Sequence, residues 1–137
     1  MGLNIYGTCV KLNSKGILIL GDSGSGKSDL ALRLITLFSA KLISDDRTDI
    51  FYDSGFIKAK APSALRGLLE VRGLGLIKQE YLKETKIDLV IKLTTDKIER
   101  MPQSQSYKIE NIDIPMYFLN PFEASAPSKV LAILSLL

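Results

Sequence analysis

Residues 21–28 read GDSGSGKS, and no other stretch constrains the fold of this 137-residue chain as strongly. The segment fits the phosphate-loop pattern G-x-x-x-x-G-K-[ST] at Gly21, Gly26, Lys27 and Ser28, with Asp22, Ser23, Gly24 and Ser25 between the fixed positions. Such a loop works only between a strand and a helix. The glycines let backbone N–H groups turn inward around phosphate oxygens, and the helix N-terminus adds partial positive charge. The flanks supply both elements. The apolar run GILIL at 16–20 reads as a buried strand. From Ser28 to about Ser39, Leu30, Ala31, Leu34, Ile35 and Phe38 recur at helical spacing, with Asp29, Arg33 and Thr36 opposite. In this pattern Lys27 reaches the β- and γ-phosphates and the Ser28 hydroxyl ligates Mg²⁺.

The remaining chain reads as a succession of short elements. Residues 3–12 form a strand-like run, and 13–16 a hairpin turn into the strand at 16–20. Residues 41–44 form the next strand, which ends at Asp45 and Asp46; its predicted place is parallel to the phosphate-loop strand and directly beside it. Runs at 49–52 and 56–59 flank a second turn at 53–55. Residues 61–72 read as irregular or briefly helical, and 87–93 as a strand covered on both faces. Residues 100–106 are polar and read as a mobile loop. A strand at 109–118 is interrupted by Pro115, and a helix starts at Ser125 with Pro127 in its first turn. Val130, Leu131, Leu134 and Leu137 are its apolar face, to be covered by the sheet or by a second subunit. Tyr6 and Tyr52 read as packing residues.

Composition narrows the chemistry. The formal net charge is +3, and no Lys/Arg run is interleaved with aromatic residues, which argues against a nucleic-acid partner. No apolar stretch approaches the roughly 20 residues of a membrane span, and the first residues lack the basic start and apolar core of a signal peptide. Cys9 is the one cysteine; within an apolar run it reads as a buried free thiol, consistent with the cytoplasm. There is no histidine, which removes a histidine base, a Ser-His-Asp triad and histidine-ligated zinc. Acid–base work is left to Asp, Glu, Lys or Tyr.

Two clusters can carry that work. Asp45 and Asp46 follow the strand after the phosphate-loop helix, and the C-terminal ends of strands are where α/β sheets hold ligands. One carboxylate there can hold Mg²⁺ and the other can take a proton from an incoming hydroxyl; the residues alone do not say which does which. Glu70, Arg72, Gly73 and Gly75 form the second cluster. In an extended segment Glu70 and Arg72 share a face. Glu70 can add an oxygen ligand near the metal, Arg72 can neutralise phosphoryl charge, and an ion pair before a glycine turn is the plainer reading. Arg47, Lys58, Lys60, Arg66 and Arg100 read as solvated charge.

Taken together, these segments resemble the catalytic domain of the bacterial HPr kinase/phosphorylases. The resemblance rests on GTCV at 7–10, GDSGSGKSDLALRLI at 21–35, LISDDR at 42–47, EVRGLGLI at 70–77, which looks like the family signature, and NPFEASAPSK at 120–129. It spans nearly the whole chain and is weakest over 81–106. It implies one catalytic domain over 1–137, the short form without the N-terminal domain of longer members. The implied fold is α/β, a P-loop kinase domain akin to the phosphoenolpyruvate carboxykinase nucleotide-binding core, with a mixed sheet and flanking helices. The implied activity is ATP- and Mg²⁺-dependent phosphorylation of a serine on an HPr-like phosphocarrier protein, reversed by phosphorolysis. Residues 21–28 would hold phosphate, with Lys27 on the transferred group and Ser28 on the metal. Asp45 and Asp46 would supply the metal contact and the base, Glu70 would join the metal site, and Arg72 belongs to the signature. Long members form hexamers, so a homo-oligomer is expected.

The chain departs from the pattern twice. Tyr6 stands where members commonly carry His, and residues 120–129 contain no Arg where long members have an Arg-bearing loop linked to phosphorolysis. Lys129 is not equivalent to Arg in bidentate phosphate contact, so kinase activity is the firmer expectation. Two rivals remain. A small-molecule P-loop kinase would need Arg100 in a lid and leaves the 70–75 segment unexplained. A nucleotide-sensing regulatory module would bind ATP without transferring phosphate. A GTPase is disfavoured by the absence of N-K-x-D and of a suitably placed D-x-x-G.

Overall fold

A computed structural model describes residues 2–137. Its centre is a six-stranded mixed sheet in the order β11-β12-β10-β3-β2-β4. These strands are β2 (Thr8–Leu12), β3 (Lys15–Leu20), β4 (Lys41–Ser44), β10 (Leu89–Leu93), β11 (Gln105–Ile109) and β12 (Ile112–Leu119). β3, β10 and β12 run parallel, and β2 and β11 are antiparallel to their neighbours. A second, antiparallel sheet has the order β1-β5-β6-β9, from β1 (Gly2–Tyr6), β5 (Arg47–Asp53), β6 (Phe56–Lys60) and β9 (Glu84–Lys86). A hairpin of β7 (Leu68–Val71) and β8 (Gly75–Lys78) stands apart from both sheets. The helices are α1 (Lys27–Phe38) and α2 (Ala126–Leu134).

Alternation along the central strands makes three layers. Ile17 and Ile19 of β3 point to one face, where they pack with Leu30, Ala31 and Leu34 of α1, Val130 of α2 and Leu69 of β7. Leu18 and Leu20 point to the other face and meet Ile50, Ile57 and Ala59 of the small sheet. Each fully buried Leu or Ile is worth roughly 1.5–3 kcal/mol relative to exposure. Covering both faces is what a parallel sheet requires, and it explains the continuous apolar run of β3 and the apolar Val90 on the second face of β10. Gly16 marks the tightest approach of the layers. A Cβ there would collide with the Lys86 carbonyl, while the Gly16 N–H donates to Asp88 Oδ2 at 2.9 Å.

Several elements differ from the sequence reading. The run at 3–12 is two strands in two sheets, broken at Gly7. β4 does not lie directly beside β3: β2 sits between them, antiparallel to both. The two-residue turn at Asn13 and Ser14, both at positive φ, folds β2 back along the edge of β3 and takes the place that β4 would need. Residues 61–72 contain a single 3₁₀ turn, Ser63–Leu65, and then β7. Gln105 and Ser106 belong to β11 rather than to a loop. Pro115 does not interrupt its strand; the break is a tight turn at Glu110 and Asn111, also both at positive φ. In α2 the buried residues are Ala126, Pro127, Val130 and Ile133, so this face lies on the central layer, whereas Leu137 lies beyond the helix and is exposed. Tyr6 and Tyr52 are not packed inside; they are 64% and 54% exposed, and the Arg47 guanidinium stacks 4.1 Å from the centroid of the Tyr6 ring.

Cys9 is fully buried, as expected, and burial pushes its thiol well above the ordinary range. A buried neutral thiol is a poor nucleophile. The native protein should therefore leave an aromatic disulfide reagent unreacted at pH 8 and release one equivalent of thiolate on unfolding. Fast stoichiometric reaction of the folded protein would contradict this.

Candidate functional site

The phosphate loop lies between β3 and α1, as its pattern requires. Gly24 and Gly26 take positive φ of 79° and 102°, and Gly26 caps α1 in the left-handed conformation. No side chain caps α1, so the first turn of the helix is left open at its N-terminal end, while the Ser25 N–H donates within the loop to the Asp22 carbonyl at 3.0 Å. The Ser25 hydroxyl is enclosed and finds no hydrogen-bond partner among the described residues. Lys27 is almost wholly buried and is turned back on its own loop: Nζ donates to the Gly21 carbonyl at 2.8 Å and the Asp22 carbonyl at 3.0 Å. To reach a phosphate it must exchange these contacts.

Asp45 and Asp46 sit where the chain leaves the central sheet at the end of β4 and enters the small sheet at β5. Another crossing, at Gly7, lies alongside, and the Gly7 N–H donates to the Asp46 carbonyl at 2.9 Å. The two carboxylates have opposite surroundings. Asp45 is 7% exposed and accepts three hydrogen bonds: Ser28 Oγ at 2.6 Å and Thr8 Oγ1 at 2.9 Å on Oδ1, and the Glu70 N–H at 2.9 Å on Oδ2. It thereby joins the start of α1, the start of β2 and the β7–β8 hairpin. Asp46 is exposed, holds φ at 66°, and lines the cleft above the phosphate loop.

That cleft has a volume of about 300 Å³. Ser23, Gly24, Gly26, Lys27 and Ser28 line it from the loop, with Glu70 and Arg72 from the hairpin. Arg72 Nη2 would lie 3.7 Å from a Cβ on Gly24, directly over the glycines. Gly73 and Gly75, at φ of 85° and 106°, make the turn that carries Arg72 there. The residues named from the sequence are thus gathered in one place, although β4 is one strand further from β3 than expected.

Some participants were not visible in the sequence. Thr8 is buried at 0% exposure; it heads an apolar strand and lies in the GTCV segment, but neither signal gave it a role. Phe122 lines the cleft from the loop before α2, and nothing in its local pattern announced this. No group of three or more His, Cys, Asp or Glu among the described residues is arranged to hold a metal by itself. The oxygen donors at hand are the Ser28 hydroxyl and the carboxylates of Asp45, Asp46 and Glu70, a hard set that suits Mg²⁺ when phosphate and water complete the shell.

Thr8→Val keeps the shape and removes the hydroxyl that serves both Asp45 and, at 3.3 Å, the Asp46 N–H. The expected cost is about 1–3 kcal/mol, seen as a lower urea midpoint at unchanged m-value. An unchanged midpoint would show that Asp45 does not depend on this contact.

The family model described as HPr Serine kinase C-terminal domain matches residues 2–132. The chain is 36% identical over 125 residues to the HPr kinase/phosphorylase of Lactiplantibacillus plantarum, covering 82% of this chain and 39% of that protein. It is 32% identical over 128 residues to the enzyme of the same description from Ralstonia pickettii, covering 85% and 39%. The chain therefore spans about two fifths of the length of these curated relatives. Among solved structures, the Hpr(Ser) kinase/phosphatase from Coxiella burnetii superposes with a TM-score of 0.84 at 20% identity, over 97% of this chain and 88% of that one. That likeness establishes the mixed α/β fold. With the family model covering the chain from the first strand to the last helix, this protein belongs to the HPr Serine kinase C-terminal domain family.

Proposed function

We propose that the protein transfers the γ-phosphoryl group of ATP to a serine of an HPr-like phosphocarrier protein in the cytoplasm, with Mg²⁺ as the metal. The observation that carries this reading is Asp45, which ties the phosphate loop to the signature hairpin through Ser28 Oγ and the Glu70 N–H. On this reading Glu70 and Arg72 would stand over the transferred group, where catalysis is positioning and charge stabilisation. The nucleotide-binding core is accordingly read as akin to that of phosphoenolpyruvate carboxykinase.

Bound metal would neutralise charge on the β- and γ-phosphates. Ser28, held in orientation by Asp45, and Glu70 would hold it. Lys27 leaves the Gly21 and Asp22 carbonyls for the γ-phosphate oxygens. The acceptor serine reaches the exposed end of the cleft, where Asp46 stands. Its oxygen forms the bond to γ-phosphorus as the bond to the bridging oxygen of ADP breaks, and its proton passes to Asp46. Arg72 balances the charge on the equatorial oxygens. In the reverse direction inorganic phosphate attacks the phosphoserine, pyrophosphate forms, and protonated Asp46 returns its proton to the serine oxygen. Self-association, as in longer members, is part of the same reading.

The test is phosphoserine formation from γ-labelled ATP, Mg²⁺ and the organism's HPr-like protein, with Lys27→Ala as the control. Asp46→Asn should lower transfer and phosphorolysis alike by roughly 10²–10⁴ and leave nucleotide binding within a few-fold. Asp45→Asn should weaken Mg²⁺-dependent nucleotide binding as well. ATP binding with no transfer by the unaltered protein would contradict the kinase reading, and unimpaired transfer by Asp46→Asn would contradict its place as base.

A further inference from the structure

The cleft has a second end that the phosphate chemistry does not use. Arg72 overhangs Gly24, but Gly26 faces a different wall: a Cβ on Gly26 would meet Pro121 Cγ at 3.3 Å and Phe122 Cε1 at 3.8 Å. Phe122 is 69% exposed and lines the cleft together with Asp29 and Leu32 of α1. The loop that carries it is fixed. Arg33 Nη2 donates to the Pro121 carbonyl and Nη1 to the Glu123 carbonyl at 3.5 Å. Asp29 holds Arg33 at 3.1 Å, the Phe122 N–H donates to Asn120 Oδ1 at 2.9 Å, and Lys129 pairs with Glu123 at 2.7 Å. An anchored backbone thus presents an aromatic face that the protein itself leaves largely uncovered, beside the first turn of the phosphate-loop helix.

Resting on the nucleotide reading above, we propose that Phe122 is the stacking platform for the base of the bound nucleoside triphosphate, with Leu32 as the apolar floor beside it. A phosphate chain seated with its terminal group near Lys27, Ser28 and Arg72 has its nucleoside end free. On this assignment it leaves over Gly26 and the first turn of α1, where Phe122 stands. Stacking on an aromatic face depends little on base identity. The site is therefore one for a nucleobase in general, with weak discrimination between ATP and GTP.

Calorimetry with ATP and with pyrophosphate, which carries no base, separates the two parts of the site. Phe122→Ala should weaken ATP about tenfold and leave pyrophosphate unchanged, while Phe122→Tyr should restore ATP affinity. The sequence has no tryptophan, so Phe122→Trp supplies a single indole whose emission should change with ATP and not with pyrophosphate. Equal ATP affinity in the unaltered and Phe122→Ala proteins, or equal loss of both ligands in the latter, would overturn the platform while the phosphate site stands. Failure of the unaltered protein to bind either ligand would instead overturn the nucleotide reading beneath it.

Discussion

One buried carboxylate organises the molecule. Asp45 is nearly enclosed, and a carboxylate in that position is costly unless its oxygens are satisfied. Its three donors come from residues 8, 28 and 70, which sit on β2, α1 and β7. The hairpin that carries Glu70 and Arg72 belongs to neither large sheet. Its position over the phosphate loop is set by Leu69 in the helix-side core and by the hydrogen bond from the Glu70 N–H to Asp45. Removing the carboxylate would leave Ser28, Thr8 and the Glu70 N–H without their shared partner, and each unsatisfied group costs about 1–3 kcal/mol.

The candidate site lies where the chain changes sheets, and a residue that turns the chain there, Asp46, also lines the cleft. Two of the crossings between the small and the central sheet, at Gly7 and at Asp45 and Asp46, meet here and are hydrogen-bonded to each other. A crossing needs a break in strand geometry. The second break is Asp46 at φ 66°, a conformation aspartate tolerates better than most residues. The same break turns adjacent carboxylates to different surroundings, Asp45 inward and Asp46 into the cleft. In an unbroken strand they would alternate across the sheet with one facing a hydrophobic core.

Local signals were legible in the sequence, and signals that depend on distant partners were not. The phosphate loop, α1 and the turns at 13–16 and 53–55 announced themselves through glycine, asparagine, serine and helical periodicity. The turn at Glu110 and Asn111 did not, because glutamate is a poor marker of positive φ and Pro115 looked like the break. β7, β8 and β9 have three or four residues each and carry little periodicity to read. The order of the central sheet depended on which side of β3 the first hairpin took, which local pattern does not record. Among site residues, Asp45, Asp46, Glu70 and Arg72 were recognisable by their chemistry and by likeness to the family signature. Thr8 and Arg33 act across 37 and 88 residues of chain, on Asp45 and on the Pro121 carbonyl, and their neighbours in sequence give no hint of it.

The most direct measurement is amide hydrogen exchange at Glu70 in the native protein and in Asp45→Ala. If Asp45 holds the hairpin in place, exchange at Glu70 and along β7 should quicken by more than tenfold, while the amides of β3 and β10 keep their protection. Unchanged protection at Glu70 would show that the hairpin stands without Asp45, and the account of a single carboxylate joining loop, sheet and signature would fail.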